Sequence, residues 1–499
     1  MKPLSLIYTK YLPSRAFKLA AYGALVTLIL AVPLFGQWEP DVRLTYDDSL
    51  SLLAWCYNPR CIAAGPDGAL HLVWYDTRDG GEYAEEVYYK RSTDCGTTWS
   101  ADFRLSVSDG YRSSRPSVCV EGSDVHVVWY DEHSGNLDIL YKHSTDGGVN
   151  WTVEMPLGTA FQGPPSIAAC GSYLHAVWVV LNNQNSTREI WYNRSMDAGM
   201  SWSGAIKLTN PDPQSESDAQ PSVSVAGADV HVIWERYSNI YGTSLCYKHS
   251  SDRGVTWFQD TSLAVPPIVY PTHTVSDSII HVVWMDAHTA GGQIYYKRSM
   301  DRGMTWQQEV PLSENLYSVN FSSISASGLN VHAVFEGHLE GYSMSNLYYR
   351  FSSDGGTTWS TQALLTTDTV TPAGLYPSIS VGDTMVHMVW QDGRHGHPFT
   401  GNREIYYKRN PTGNAWGINE SSAGSMQQIP TGLIAFPNPF TSYTTILGYE
   451  KHGFVLYDIM GKRVGIYRGD RIGQGLSAGV YFLTSEGENA RPLRVVKVR

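Results

Sequence analysis

Ser144-Thr145-Asp146-Gly147-Gly148-Val149-Asn150-Trp151 decides the fold of this chain, because its frame S-x-D-x-G-x-x-W returns five more times. The other copies are Ser92–Trp99, Ser195–Trp202, Ser250–Trp257, Ser299–Trp306 and Ser352–Trp359. These are the residue types of a tight turn. Ser and Asp oxygens accept hydrogen bonds from nearby backbone N–H groups, and Gly takes a positive φ at little cost. The Trp then packs its ring over the hairpin. A seventh, eroded copy ends at Trp416, where Asn410-Pro411-Thr412-Gly413 replaces the Ser/Asp/Gly frame.

Ahead of each turn a second element recurs, at His71–Trp74, His126–Trp129, His175–Trp178, His231–Trp234, His281–Trp284, His332–Phe335 and His387–Trp390. The six steps from His71 to His387 average about 53 residues, the period of propeller blades and similar arrays. The two elements together account for 13 of the 16 Trp, so most of the indole is structural. Residues 115–157 show one unit: Pro116–Val120, Val125–Tyr130, Asp138–His143 and Thr152–Leu157 are short, β-prone and separated by Gly or Asp turns. One such sheet cannot bury both faces alone. Seven packed radially can, leaving only short protected edges.

The ends of the array offer a check. After Trp416 the chain has no fourth strand, whereas Val42-Arg43-Leu44-Thr45 matches Phe103-Arg104-Leu105-Ser106, the fourth strand of the first unit. The expectation is an all-β, seven-bladed β-propeller over residues 37–420, with the N-terminal strand completing the blade formed by residues 375–416.

The 499 residues carry 36 Lys+Arg against 47 Asp+Glu, a net charge of −11, with no basic block. That excludes a protein tracking phosphate backbones, which needs a positive surface. Lys2, Lys10, Arg15 and Lys18 precede an apolar run from Leu19 to Phe35 that ends at Gly36. Residues 1–36 read as an export signal peptide, with a membrane anchor the alternative. Six Cys do not make a disulfide framework, although Cys56 and Cys61 could pair in an oxidising compartment. No metal-ligand spacing is present, and no cofactor is expected.

The six intact turns resemble the Asp-box, or BNR, repeats of sialidases and related propellers, over roughly residues 38–418. In that family the boxes lie on the blade periphery, so the resemblance implies a structural role for Asp94, Asp146, Asp197, Asp252, Asp301 and Asp354. Sialidases use an arginine triad, a Tyr nucleophile activated by Glu, and an acid/base Asp. Their first arginine precedes Ile-Pro on the innermost strand of the first blade. Here that place reads Tyr57-Asn58-Pro59-Arg60, and Arg115-Pro116 in the second unit lacks the intervening residue. Seven units also depart from the family's usual six. No catalytic residue transfers by motif.

Asp76, Asp131, Asp286 and Asp392 sit two residues after the recurrent Trp, and Glu235 and Glu336 one residue after the Trp or Phe. Arg78, His133, His288 and Arg394 follow the four Asp by two positions. Repetition around a ring marks a blade-by-blade structural device, and seven evenly spaced His cannot converge on one metal. Function belongs where the repeat breaks. Tyr57, Arg115, Gln220, Tyr270, Asn320 and Tyr376 are expected to surround one mouth of a central channel, where aromatic and Arg or Asn groups suit a sugar ring or acidic glycan. The candidate catalytic residues are Arg78, Arg115, Arg236, Arg394, Tyr270 and Tyr376.

After a linker, residues 421–432, the composition changes. Pro437-Asn438-Pro439-Phe440, Val455–Val464, Leu476–Phe482 and Arg494–Arg499 read as strands and Gly turns of a small C-terminal β-sandwich over residues 433–499. This stretch resembles the C-terminal sorting domain of the type IX secretion system. The resemblance implies type IX secretion machinery as a partner and a secreted or bacterial cell-surface location. The sequence therefore points to a monomeric, sialidase-like propeller that binds glycans or other surface polymers and not nucleic acid. The alternative is an exo-alpha-sialidase-type glycoside hydrolase.

Overall fold

The computed structural model describes residues 38–411 except 48, 54–59, 80–84, 133–136, 162, 265–266, 289–290, 341–344, 367–372, 383–384 and 395–402. Beyond them it describes 435–436, 445–446, 453–458, 462–468, 471–473, 476–485 and 493–497. The chain divides into two compact units, Met1–Asn419 and Glu420–Arg499. The expected export signal, the linker, Cys56, Tyr57 and Trp416 lie outside the described residues.

In the first unit, apolar residues alternating with turn residues build antiparallel meanders as the repeat requires. The second unit of the array pairs Ser113–Glu121, Asp124–Asp131, Asp138–Ser144 and Met155–Thr159 in sequential order. The described residues hold seven such sheets, numbered here along the chain by their His-x-x-Trp strands. Sheet one adds a strand that the sequence did not announce: Ser51–Leu52 pairs with Leu70–Asp76, which also pairs with Ile62–Ala64.

Val42 pairs with Tyr407 and Arg43 with Tyr406, so Val42–Arg43 is the outer strand of sheet seven, after Ala373–Gly382, Met385–Asp392 and Glu404–Asn410. The N-terminal strand stands where the missing fourth strand belongs. Hydrogen bonding ends the strand at Arg43, two residues earlier than expected, although Leu44 N–H still donates to the Ile405 carbonyl at 2.8 Å.

The core lies between neighbouring sheets. Ile379, Val386 and Trp390 of sheet seven pack with Val334, Leu347 and Tyr349 of sheet six, while Val389, Ile405 and Tyr407 join Trp74 and Val87 of sheet one. Sheets seven and one are also clasped by hydrogen bonds. Cys61 N–H donates to Ser378 Oγ at 3.2 Å and Ala64 N–H to Ser380 Oγ at 3.0 Å. Sheets six and seven use similar bonds, from Ile379 N–H to Ser323 Oγ and from Val381 N–H to Ser325 Oγ, both 3.2 Å.

Every recurrent His donates to or accepts from a Tyr hydroxyl of its own sheet: His71–Tyr89, His126–Tyr141, His175–Tyr192, His231–Tyr247, His281–Tyr296, His332–Tyr349 and His387–Tyr407, at 2.6 to 2.9 Å. Burial holds these imidazoles neutral, pulling His126 and His332 down to about 3. Each of these Tyr rings then meets the edge of a Trp from the next sheet, as Tyr89 meets Trp151 and Tyr407 meets Trp99. The Trp facing Tyr349 of sheet six is Trp38, from the N-terminal segment.

In the second unit, described by itself, Arg463–Arg468, Gly453–Asp458, Gly479–Ser485 and Leu493–Lys497 form a four-stranded sheet in that order. Ala435–Phe436 pairs separately with Thr445–Ile446. Among its described residues Phe454, Leu456, Ile472 and Leu483 are the most buried side chains.

Candidate functional site

At the start of the first strand of four sheets the chain bulges. Arg115-Pro116 falls in the register shift between Ser114 and Ser117, Gln220-Pro221 between Ala219 and Ser222, Tyr270-Pro271 between Val269 and Thr272, and Tyr376-Pro377 between Leu375 and Ser378. Proline cannot join the ladder, so it marks a bulge or an edge. The residue before it takes a positive φ in each case: 57° at Arg115, 59° at Gln220, 57° at Tyr270 and 53° at Tyr376. Such a backbone costs a non-glycine residue about 1–2 kcal/mol, and its recurrence at one register re-aims four side chains.

Sheet six makes its bulge between Asn320 and Ser322 without proline. Phe321, and not the expected Asn320, fills the aromatic place. Its ring centroid lies 4.4 Å from that of Tyr270 and 4.5 Å from that of Tyr376. Three rings from sheets five, six and seven thus form one partly exposed row. The sequence hid Phe321 because the proline that flags the position elsewhere is missing.

Two buried carboxyls hold the bulges under this row. Glu235 Oε1 accepts the Tyr270 N–H at 2.6 Å, and Glu336 accepts the Tyr376 N–H. Burial pushes each carboxyl up to about 7, outweighing the hydrogen bonds that favour the ionised form. Sequence reasoning grouped both with the recurrent acids. Their one-residue offset from the Asp positions was the available signal.

The candidate arginines divide. Arg78 pairs with Asp47, Asp76 and Asp102; Arg236 with Asp218, Asp260 and Glu216; Arg394 with Asp41 and Asp392. The three share no partner, and each is engaged by carboxylates around its own sheet. The recurrent Asp residues also accept from Trp indoles, as Asp76 does from Trp74 at 3.3 Å, Asp131 from Trp129 at 3.2 Å and Asp392 from Trp390 at 3.0 Å. Arg115 stands apart at its bulge, with its guanidinium carbon 5.7 Å from the Tyr130 ring centre. The structure therefore brings Tyr270 and Tyr376 together through Phe321, and places Arg78, Arg236 and Arg394 in separate ion-pair sets.

The six Asp-box carboxylates are occupied by their own turns. Asp146 Oδ1 accepts from Ser144 Oγ at 2.7 Å and Asn150 N–H at 2.8 Å, while Gly148 N–H donates to Ser144 Oγ at 2.9 Å. Asp94, Asp197, Asp252, Asp301 and Asp354 repeat the Ser Oγ bond at 2.7 or 2.8 Å.

Residues 33–226 match the family model of the BNR repeat-like domain. This BNR match covers the first sheets of the array and three of its six boxes. Among solved structures, a polysaccharide lyase of family PL25, an ulvan lyase, is 10% identical with a TM-score of 0.51, covering 73% of this chain and 95% of its own. A protein of unknown function from Dyadobacter fermentans DSM 18053 is 12% identical with a TM-score of 0.47, covering 76% of this chain and 100% of its own. The phage phi92 endosialidase is 11% identical with a TM-score of 0.48, over 93% and 87% of the two chains. At these identities the likeness to the BNR array is one of fold alone. No curated protein sequence matches.

Proposed function

We propose that the seven sheets form a seven-bladed propeller of sialidase-like type that binds a glycan at the mouth marked by Arg115, Gln220, Tyr270, Phe321 and Tyr376. The observation that carries this reading is the aromatic row Tyr270–Phe321–Tyr376, standing on bulges at one register of adjacent sheets, with a positive φ at Tyr270 and Tyr376. Partly exposed aromatic faces with nearby amide and guanidinium groups offer stacking and directed hydrogen bonds to a sugar ring. The BNR match and the fold likeness to a polysaccharide lyase agree with a glycan as the ligand class.

A second reading, glycan cleavage, is favoured by Glu235 and Glu336. Carboxyls held near neutral by burial have the protonation chemistry of a general acid, and both touch the backbone of mouth residues. The remaining part of the proposal concerns location: residues 1–36 direct export, and residues 433–499 act as a type IX sorting unit on a cell-surface protein.

The test is a glycan array probed with the full chain, beside turnover of a fluorogenic sialoside. Binding that falls about tenfold in Tyr270→Ala and Tyr376→Ala supports the first reading, tenfold corresponding to ~1.4 kcal/mol of stacking. Turnover lost in Glu235→Gln supports the second. Inertness in both assays overturns the glycan reading.

A further inference from the structure

In five units the proline ahead of the first strand's core is followed in sequence by a hydroxyl residue: Ser117, Ser166, Ser222, Thr272 and Ser378. After Pro59 of the first unit the sequence has Arg60. The substitution changes the seam between sheets. Val223 N–H donates to Ser166 Oγ at 3.2 Å, whereas Val118 N–H turns to the Arg60 backbone carbonyl at 2.9 Å. The Arg60 side chain is thereby left to a different task.

Arg60 helps to line a cavity of about 190 Å³ between the first strands of sheets one, two, five, six and seven. Among the described residues its side chain makes one hydrogen bond, from Nη2 to the His273 carbonyl at 2.9 Å, and no ion pair. Burial draws the guanidinium down to about 10, yet the residue is only half-buried by surface exposure. Both observations fit a group deep in the molecule that faces open cavity space.

Among the described residues the rest of the lining is neutral: Thr272, Thr274, Ser323, Ser325 and Ser380 bring hydroxyls, and none of the lining residues is a carboxylate. His273 is bonded through its ring to Ser222 Oγ at 3.0 Å and the His231 carbonyl at 3.2 Å, and burial keeps it uncharged. By contrast, Arg78, Arg236 and Arg394 each have a carboxylate within 2.7 Å. A cation taken out of water demands a counter-charge, and planar guanidinium is shaped for oxyanions.

We propose that this cavity binds a small oxyanion of the sulfate, phosphate or carboxylate class, with Arg60 as its charged anchor and the Ser and Thr hydroxyls around it. A water molecule claims about 30 Å³ of liquid, so the space admits such an ion with part of its hydration. The same chemistry could arrive as a free ion or as a charged substituent of a glycan.

Calorimetric titration of the full chain with sodium sulfate, phosphate and glucuronate, at ionic strength fixed with sodium chloride, reads the site directly. The expected result is saturable binding of at least one of them, weakened at least tenfold in Arg60→Met and less in Arg60→Lys. Crystals soaked in selenate should show an anomalous peak at the Arg60 guanidinium, which serves even if Arg60→Met does not fold. Sulfate that competes with a uronate oligosaccharide identifies the glycan-borne group; sulfate binding without such competition identifies the free ion. No saturable binding by the native chain, unchanged binding in a folded Arg60→Met, or selenate found only elsewhere overturns the proposal. The array tests the aromatic mouth and the titration tests the cavity, so either can fail alone.

Discussion

Trp38 stands edge-on to Tyr349, with ring centroids 5.1 Å apart and planes at 85°. Six Asp-box tryptophans make the same contact with a Tyr of the preceding sheet, at 4.8 to 5.1 Å and 74° to 79°. The N-terminal segment therefore supplies sheet seven with both a strand and an indole. Trp38→Ala should cost about 1–3 kcal/mol, less than a fully buried Trp because the ring is partly exposed. Chemical denaturation of the variant checks this, with Trp416→Ala alongside. A larger loss in Trp416→Ala would reassign the contact.

Two glycines with similar backbones predict different outcomes. Gly148 has φ +80°, and a Cβ there would collide with Tyr89 Oη, the hydroxyl bonded to His71 Nδ1. Gly122 has φ +58° and nothing within 4 Å. Gly122→Ala should cost only the left-handed backbone penalty, about 1–2 kcal/mol. Gly148→Ala adds overpacking and should cost about 2–5 kcal/mol. Equal losses in urea melts would show that the seam between sheets yields easily.

Much of this architecture was legible because its chemistry repeats. Ser-x-Asp-x-Gly-x-x-Trp states a turn and His-x-x-Trp a buried strand, and the match of Val42–Thr45 to Phe103–Ser106 exposed the N-terminal pairing. The partner of Tyr349 was not legible, since Trp38 lies outside any repeat. The row of bulge residues was half legible. Proline flagged Arg115, Gln220, Tyr270 and Tyr376, but Phe321 lacks the flag. The separation of Arg78, Arg236 and Arg394 depends on which carboxylates lie beside them, and that is set by strand register.

Acid should act on the Asp-boxes together. Hydrogen bonds from Thr98 hold Asp94 down at about 2, and those from Thr305 do the same for Asp301. A carboxylate depressed in the folded state stabilises above its unfolded pKa, and this contribution disappears as pH falls through the folded value. The melting temperature should therefore drop as pH falls from about 4 to about 2. Asp301→Asn should melt lower at neutral pH and show a shallower acid dependence. An acid profile identical to the native one would dissociate the boxes from acid unfolding.

Glu235 and Glu336 act in the opposite sense. Burial raises both from 4.5 to about 7, so each binds its proton more tightly in the folded chain than in the unfolded one. Their favourable contribution is complete below about pH 4.5 and declines as pH rises through about 7, because ionisation then charges a buried group. Glu235→Gln keeps an oxygen to accept the Tyr270 N–H while removing the titration. The variant should therefore lose less stability than the native chain between pH 5 and 8, a difference read from urea midpoints across that window. Parallel curves for the two proteins would mean that Glu235 is already solvated, leaving the Tyr270 bulge without its neutral support and depriving the cleavage reading of its acid.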